Sequence, residues 1–345
     1  MLDEWDNARG LPQNSVTTMV QARDGFIWMG TEEGFVKFDG IKFKLFDDST
    51  LPLENHSTKF IFEDIKSPNI WVGTDGGGLL NLNYETEGFK IFDIKSGLPD
   101  NIIISGTQTD DGDFYAGTAK YGVAVIKPDG SIYVIDKSKG LPDNSVKFVG
   151  KLNNTVWVAS KNYLSKIDGS GAREVASFPS EITTIHFESA DKFLIGTAGD
   201  GIITFNPQNK DTGKFKPKLL ADKMISSINI DSHGCTFVGT YNDGFFRFCN
   251  REDDKTNWLP TNYVVSIMED TEGSVWFGTR GYGLFRVKEG KFITYGRKNG
   301  LTEAVVFPIT ESHDGGMWLG TWAGSIYKLK DGKLNKYTFG EELAS

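Results

Sequence analysis

Cysteine and histidine are nearly missing from this chain. Only Cys235 and Cys249 occur, and the four histidines (His56, His186, His233 and His313) stand far apart with no i, i+4 or His-x-Glu spacing. Residues so placed cannot build a metal cluster, and neither a metal nor a cofactor is expected. Positive charge is also in short supply. Lysine and arginine number 37 against 46 acids, a net charge of −9. That balance argues against nucleic acid and against an anionic membrane surface, because neither could release counterions to a basic patch. No window approaches the roughly eighteen uncharged apolar residues needed to cross a bilayer, so this segment is expected not to insert into a membrane. Residues 1–20 lack a signal-peptide pattern, and Met1 followed at once by Leu2-Asp3-Glu4-Trp5 looks like a start on a processed segment. A soluble segment is expected.

What the chain has is a repeat. Eight strand-like runs end in a variant of Trp-φ-Gly-Thr, with φ apolar, at residues 28–31, 71–74, 115–118, 157–160, 194–197, 237–240, 276–279 and 318–321. Their third residues are spaced by 43, 44, 42, 37, 43, 39 and 42. A period near forty with strand chemistry in every copy predicts an all-β propeller of four-stranded antiparallel blades. Abundant glycine (40) and sparse proline (11) fit many short strands joined by tight turns. The length prior of two domains then yields to one closed array over residues 1–345, with repeats near 11–47, 52–93, 98–136, 141–176, 180–220, 224–258, 263–295 and 301–339. Eight blades in one ring are expected, because a leftover module would expose an unpaired edge and half an apolar face. Seven blades plus an extra module is the alternative.

The seventh copy displays the plan. Residues 263–269 alternate into an inner strand A, Asp270-Thr271-Glu272-Gly273 is a hairpin, 274–279 is strand B, 284–288 strand C and 291–295 strand D. Crossing links between copies carry Gly-Leu-Pro-x-Asn, at 10–14, 97–101 and 140–144, with a decayed Gly300-Leu301. Glycine ends the outer strand there, proline fixes φ, and asparagine can bond nearby backbone. The repeated Trp28, Gly30, Trp71, Gly73, Trp157, Trp276, Gly278, Trp318 and Gly320 are expected to be packing. The ring wedges between sheets, and glycine admits a neighbouring backbone. Residues 2–5 align with outer-strand ends, yet 333–339 offers the last copy its own outer strand, so one such strand is in excess.

With Gly-Leu-Pro-x-Asn, Asp-x-x-Gly-x-x-Trp-x-Gly-Thr and a following Phe-Asp in one register, the chain resembles the two-component regulator propeller family. The first copy, from Gly10 through Asp24, Gly25, Trp28 and Thr31 to Phe38-Asp39-Gly40, is very similar to that family's leading repeat. The resemblance covers residues 5–339 and weakens in the fourth to sixth copies. It implies the periplasmic sensor portion of an inner-membrane histidine kinase, hybrid kinase or diguanylate cyclase, with its output domain outside this chain and a homodimer formed through the parent receptor. Family members often carry two consecutive seven-bladed propellers and a small immunoglobulin-like domain; eight modules without such a tail depart from that pattern.

Catalysis needs a nucleophile with a base, a carboxylate pair or a metal. Asp and Glu fall mostly in turns, and Ser312 beside His313 is a sequence neighbour rather than a geometry. No catalytic residue is assigned and no enzyme is expected. The copies differ most in their B–C turns, which in propellers gather with the D–A links around the mouth of the central channel. Tyr121, Tyr163, Tyr241, Asn242, Arg280, Tyr282 and Trp322 fall there. Amphipathic rings beside Arg and Asn suit a polar ring compound such as a sugar, or a peptide. Equally, the rings could cover sheet ends, with the propeller serving as an interaction scaffold; a lyase or hydrolase pocket on the same face is a third reading. Cys235 and Cys249 sit on strands B and C of the sixth copy. If Thr240 pairs with Phe245, Cys235 faces Asn250, and a one-residue bulge would be required to align the cysteines for a disulfide.

Overall fold

The computed structural model describes residues 2–215, 218–249, 252–254, 259–288, 300–303, 305–322, 324–330 and 332–337. Eight four-stranded antiparallel sheets are present, as the repeat predicts. The chain divides into two compact units, residues 1–288 and 289–345. Seven of the sheets lie in the first unit and the eighth in the second.

The closure lies in the chain's first residues. Leu2–Trp5 takes the outer place in the seventh sheet, antiparallel to Leu284–Val287, with Leu2 opposite Val287 and Trp5 opposite Leu284. Blade 7 then packs directly on blade 1. Ser266 Oγ donates to Val16 O at 3.4 Å, and the Thr271 amide donates to Gln21 Oε1 at 2.7 Å. One apolar cluster joins Trp276 and Leu284 to Leu11, Val16, Met29 and Phe38. Trp5 stacks on Trp276 and meets Phe38 edge-on, both at 5.3 Å. The excess outer strand is resolved this way: residues 2–5 stand beside strand C of blade 7, where the repeat plan put 291–295, which lie outside the described residues.

Within the ring each B strand is covered on both faces. Ile27–Thr31, Phe114–Thr118, Thr236–Thr240 and Val275–Thr279 are buried at every position, which is why they read as continuous apolar runs rather than alternations. The repeated glycines let blades meet. A Cβ on Gly278 would lie 2.6 Å from Val16 O. Each threonine of the motif closes its B–C turn through its hydroxyl, as Thr31 to Gly34 O (2.9 Å) and Thr279 to Gly283 O (2.7 Å). The crossing links hold a feature the sequence reading lacked, a single 3-10 turn at Asn7–Arg9, Ile94–Ser96 and Lys137–Lys139. Asp6, Asp93 and Asp136 cap these turns, and Gly10, Gly97 and Gly140 end them at φ of 92°, 104° and 91°. Asn14, Asn101 and Asn144 accept from the first amide of each turn at 2.8–2.9 Å.

The second unit is one sheet, Val306–Glu311, Met317–Thr321, Ile326–Lys330 and Lys333–Tyr337. Its small core holds Leu301, Leu319 and Tyr327. Gly320 lies in its B strand, and Trp318 is only half-buried there.

Candidate functional site

The B–C turns and D–A links of the ring share one face, because in blades 2–7 the residue after the motif Thr or Ser donates its amide to the carbonyl just before strand A. These bonds are Asp75 to Ser57 (2.8 Å), Ala119 to Ile102 (3.1 Å), Lys161 to Ser145 (3.1 Å), Ala198 to Glu181 (2.9 Å), Tyr241 to Met224 (3.1 Å) and Arg280 to Tyr263 (3.1 Å). The backbone is therefore uniform, and the side chains it presents are not. Alanine occupies the turn position in blades 3 and 5, charge occupies it in blades 1, 2, 4 and 7, and tyrosine in blade 6.

A second set of mouth residues comes from strand A itself. Every inner strand of the ring shifts register after its first paired residue, as between Val16 and Thr18 or Val146 and Phe148. A bulge leaves the intervening residue unpaired and re-aims its side chain. Those residues are Thr17, Lys59, Ile104, Lys147, Thr183, Ser226 and Val265. Lys59 pairs with Asp75 at 2.8 Å, and Lys147 reaches Glu181 of the next blade at 3.4 Å. Thr17 and Ser226 instead donate to the backbone of the following blade. Sequence reading missed this set. The signal was the second residue of each strand A, but a bulge is invisible until the pairing is known.

The predicted site residues separate into three groups. Tyr241, Asn242, Arg280 and Tyr282 lie on adjacent turns of blades 6 and 7. Burial pushes the Tyr241 hydroxyl pKa up, and the neighbouring Arg280 guanidinium pulls it partly back. Arg280 also faces Glu32 of blade 1 at 3.9 Å. Two exposed residues that sequence reading did not assign join this stretch, Met224 and Tyr263, beside half-exposed Tyr282. Tyr121 and Tyr163 stand on blades 3 and 4, apart from that group; Tyr163 is the first residue of strand C rather than a turn residue, opposite Ser160. Trp322, 83% exposed, is on the turn of the second unit and so is not one of the ring's seven turns.

Blade 4 adds an electrostatic lock to the same face. Lys137 and Lys161 hold Asp143 at 3.2 and 3.1 Å. Burial works against the Asp143 charge, but the Ser145 amide and both ammoniums outweigh it and bring its pKa to about 2. Among the described residues no group of three or more His, Cys, Asp and Glu is arranged to hold a metal. Cys235 and Cys249 form a disulfide, with Cα atoms 4.5 Å apart. No bulge is needed: Gly239, not Thr240, pairs with Phe245, which puts Cys235 opposite Cys249.

Four-stranded antiparallel blades packed in sequence, with the seventh against the first, define a β-propeller. Residues 10–33 and 259–281 match the model for the two component regulator propeller. Histidine kinase P4 of Formosa agariphila is 27% identical over 326 residues, 83% of this chain and 23% of that protein. The extracellular domain assigned to a hybrid two component system of B. thetaiotaomicron superposes with a TM-score of 0.74 at 22% identity, over 97% of this chain and 48% of that one. A virginiamycin B lyase of Staphylococcus aureus superposes at 0.68 with 15% identity, over 83% and 98%. The chain thus spans about a quarter of the curated relative and about half of the two-component neighbour. Among the described residues no helix is long and apolar enough to cross a membrane.

Proposed function

We propose that the ring is the non-catalytic sensing module of an extracytoplasmic signalling receptor and takes a small polar ligand at the channel mouth, over blades 6 and 7. The observation that carries this reading is the clustering of Tyr241, Arg280, Tyr282, Met224 and Tyr263 on a backbone that the other blades repeat with alanine or simple charge. A flat guanidinium between partly exposed phenols offers stacking area and directional donors, the combination that holds a polar ring. Likeness to a histidine kinase and to an extracellular sensor domain supports the receptor setting. So does the disulfide, which persists in oxidising compartments. Binding would signal by favouring one of two arrangements of paired receptors, which requires different affinity for each.

The exposed Met224 favours one second reading, a peptide or protein partner on the same patch. A thermal-shift screen of sugars, amino acids, nucleotides and short peptides separates these readings, since a ligand for the native state raises the melting temperature. Tyr282→Ala should abolish the shift by any mouth ligand and leave the unliganded melting temperature within about 2 °C. A full ligand shift in Tyr282→Ala places recognition elsewhere.

A further inference from the structure

A row of side chains in blade 4 departs from its counterparts in a way that packing does not explain. Trp157 of strand B, Lys166 of strand C and Arg173 of strand D lie directly opposite one another. In blade 1 the same row is Trp28, Lys37 and Lys44, and each lysine has a carboxylate, Asp24 at 2.9 Å and Glu87. In blade 7 it is Trp276, Arg286 and Asp3, with Arg286 and Asp3 paired at 2.7 Å. Blade 4, like blade 1, sets two cations across from each other, and like charges in that position are destabilising unless carboxylates answer them, as Asp24 and Glu87 do in blade 1. Neither Lys166 nor Arg173 forms an ion pair with any described residue.

The tryptophan of the row differs from two of its counterparts, although the buried Trp28 indole N–H of blade 1 also has no partner among the described residues. Trp71 and Trp276 donate their indole N–H to the Asp of the preceding turn, Asp64 at 2.9 Å and Asp270 at 2.7 Å. Blade 4 replaces that turn with Asn153-Asn154, both in the left-handed region at φ of 48° and 58°. This is a two-residue hairpin with no carboxylate to offer. Asn154 Oδ1 is taken by the Asp110 amide at 2.9 Å. Trp157 Nε1 makes no hydrogen bond to a described residue.

These groups line a cleft of about 570 Å³ between blades 4 and 5, on the face away from the mouth. Lys210 of blade 5 completes it, on an exposed turn and without an ion pair among the described residues; Glu174 is its carboxylate. Three cations, one acid and a free indole donor in a chain of net charge −9 form a local excess of hydrogen-bond donors. The volume suits a small molecule.

We propose that this cleft binds an oxoanion, a carboxylate or sulfate carried by a compact polar molecule, with Lys166 and Arg173 neutralising it and Trp157 Nε1 donating to one of its oxygens. The site is independent of the channel mouth, and its variants lie on another face. The test is titration of the ¹⁵N-labelled chain with citrate and with inorganic sulfate at constant ionic strength in chloride. The indole resonance of Trp157 is followed, assigned by Trp157→Phe. The citrate arm reports carboxylates and the sulfate arm sulfate groups. A saturable shift with either anion is expected, weakened about tenfold or more in a Lys166→Met, Arg173→Met double variant. Without anion that variant should melt no lower than the parent, a readout that a merely structural pair would move downward. Lys210→Met carries the same test should the double variant not fold. An indole resonance indifferent to both anions, or responding equally in the variants, overturns the proposal.

Discussion

Asp143 shows how one link residue can serve the fold at one pH and not at another. Its pKa of about 2 lies below the ordinary 3.8 because Lys137, Lys161 and the Ser145 amide favour the carboxylate. A depressed acid stabilises the native state fully above the unfolded value, and the gain fades as pH falls from about 4 towards 2. With both lysines about half exposed, the contribution is on the order of 1–2 kcal/mol after screening. Asp143→Asn should therefore lower stability by that amount at pH 7 and by almost nothing at pH 2. Denaturant melts at the two pH values check it, and an equal loss at both would assign the effect to the turn and not to the charge. Of the residues on this face, Tyr241, Arg280 and Tyr282 could be placed on turns from sequence, because turn formation does not need them. Lys59, Lys147 and Glu181 were not, since their placement depends on a bulge and on which blade follows in space.

At the scale of the strand, the outer element of blade 7 is the point where the chain's ends could have been read two ways. Local patterning identifies Leu2–Trp5 as an outer strand but cannot say which of two sheets it joins, because its partner lies about 280 residues away. Trp5 against Trp276 and Phe38, and Asp3 against Arg286, make the choice. Trp5 is partly buried, so Trp5→Ala should cost about 2 kcal/mol, below the range for fully buried aromatics, read as a lowered denaturation midpoint. A change below about 0.5 kcal/mol would show that residues 2–5 do not seal the ring. The disulfide carries a similar lesson. Its strands were evident from sequence, yet the register was one residue out, because the Thr240 amide and hydroxyl both bond to Gly244 O and draw Thr240 into the turn. Thiol titration of the unreduced, denatured protein should find no free thiol, and reduction should remove about 3 kcal/mol for a loop of this length. Two reactive thiols would contradict the bond.

For the whole molecule, periodicity specified the blade and its number of copies, while closure was decided by long-range pairing that periodicity does not encode. Seven blades leave no gap between the first and seventh, since Gly278 touches Val16 and the Gly283 amide bonds to Asn14 O at 2.8 Å. The ring is thus complete within residues 2–288, and the mouth proposed for recognition needs nothing from the second unit. The most direct measurement is the thermal unfolding of a 2–288 fragment beside the full chain and a 6–288 fragment. A closed seven-bladed ring predicts that 2–288 is folded and monomeric and keeps the main cooperative transition of the full chain, whereas 6–288 melts lower or aggregates. An aggregated or unfolded 2–288 fragment, beside a folded full chain, would contradict closure by residues 2–5 and require the eighth sheet in the ring.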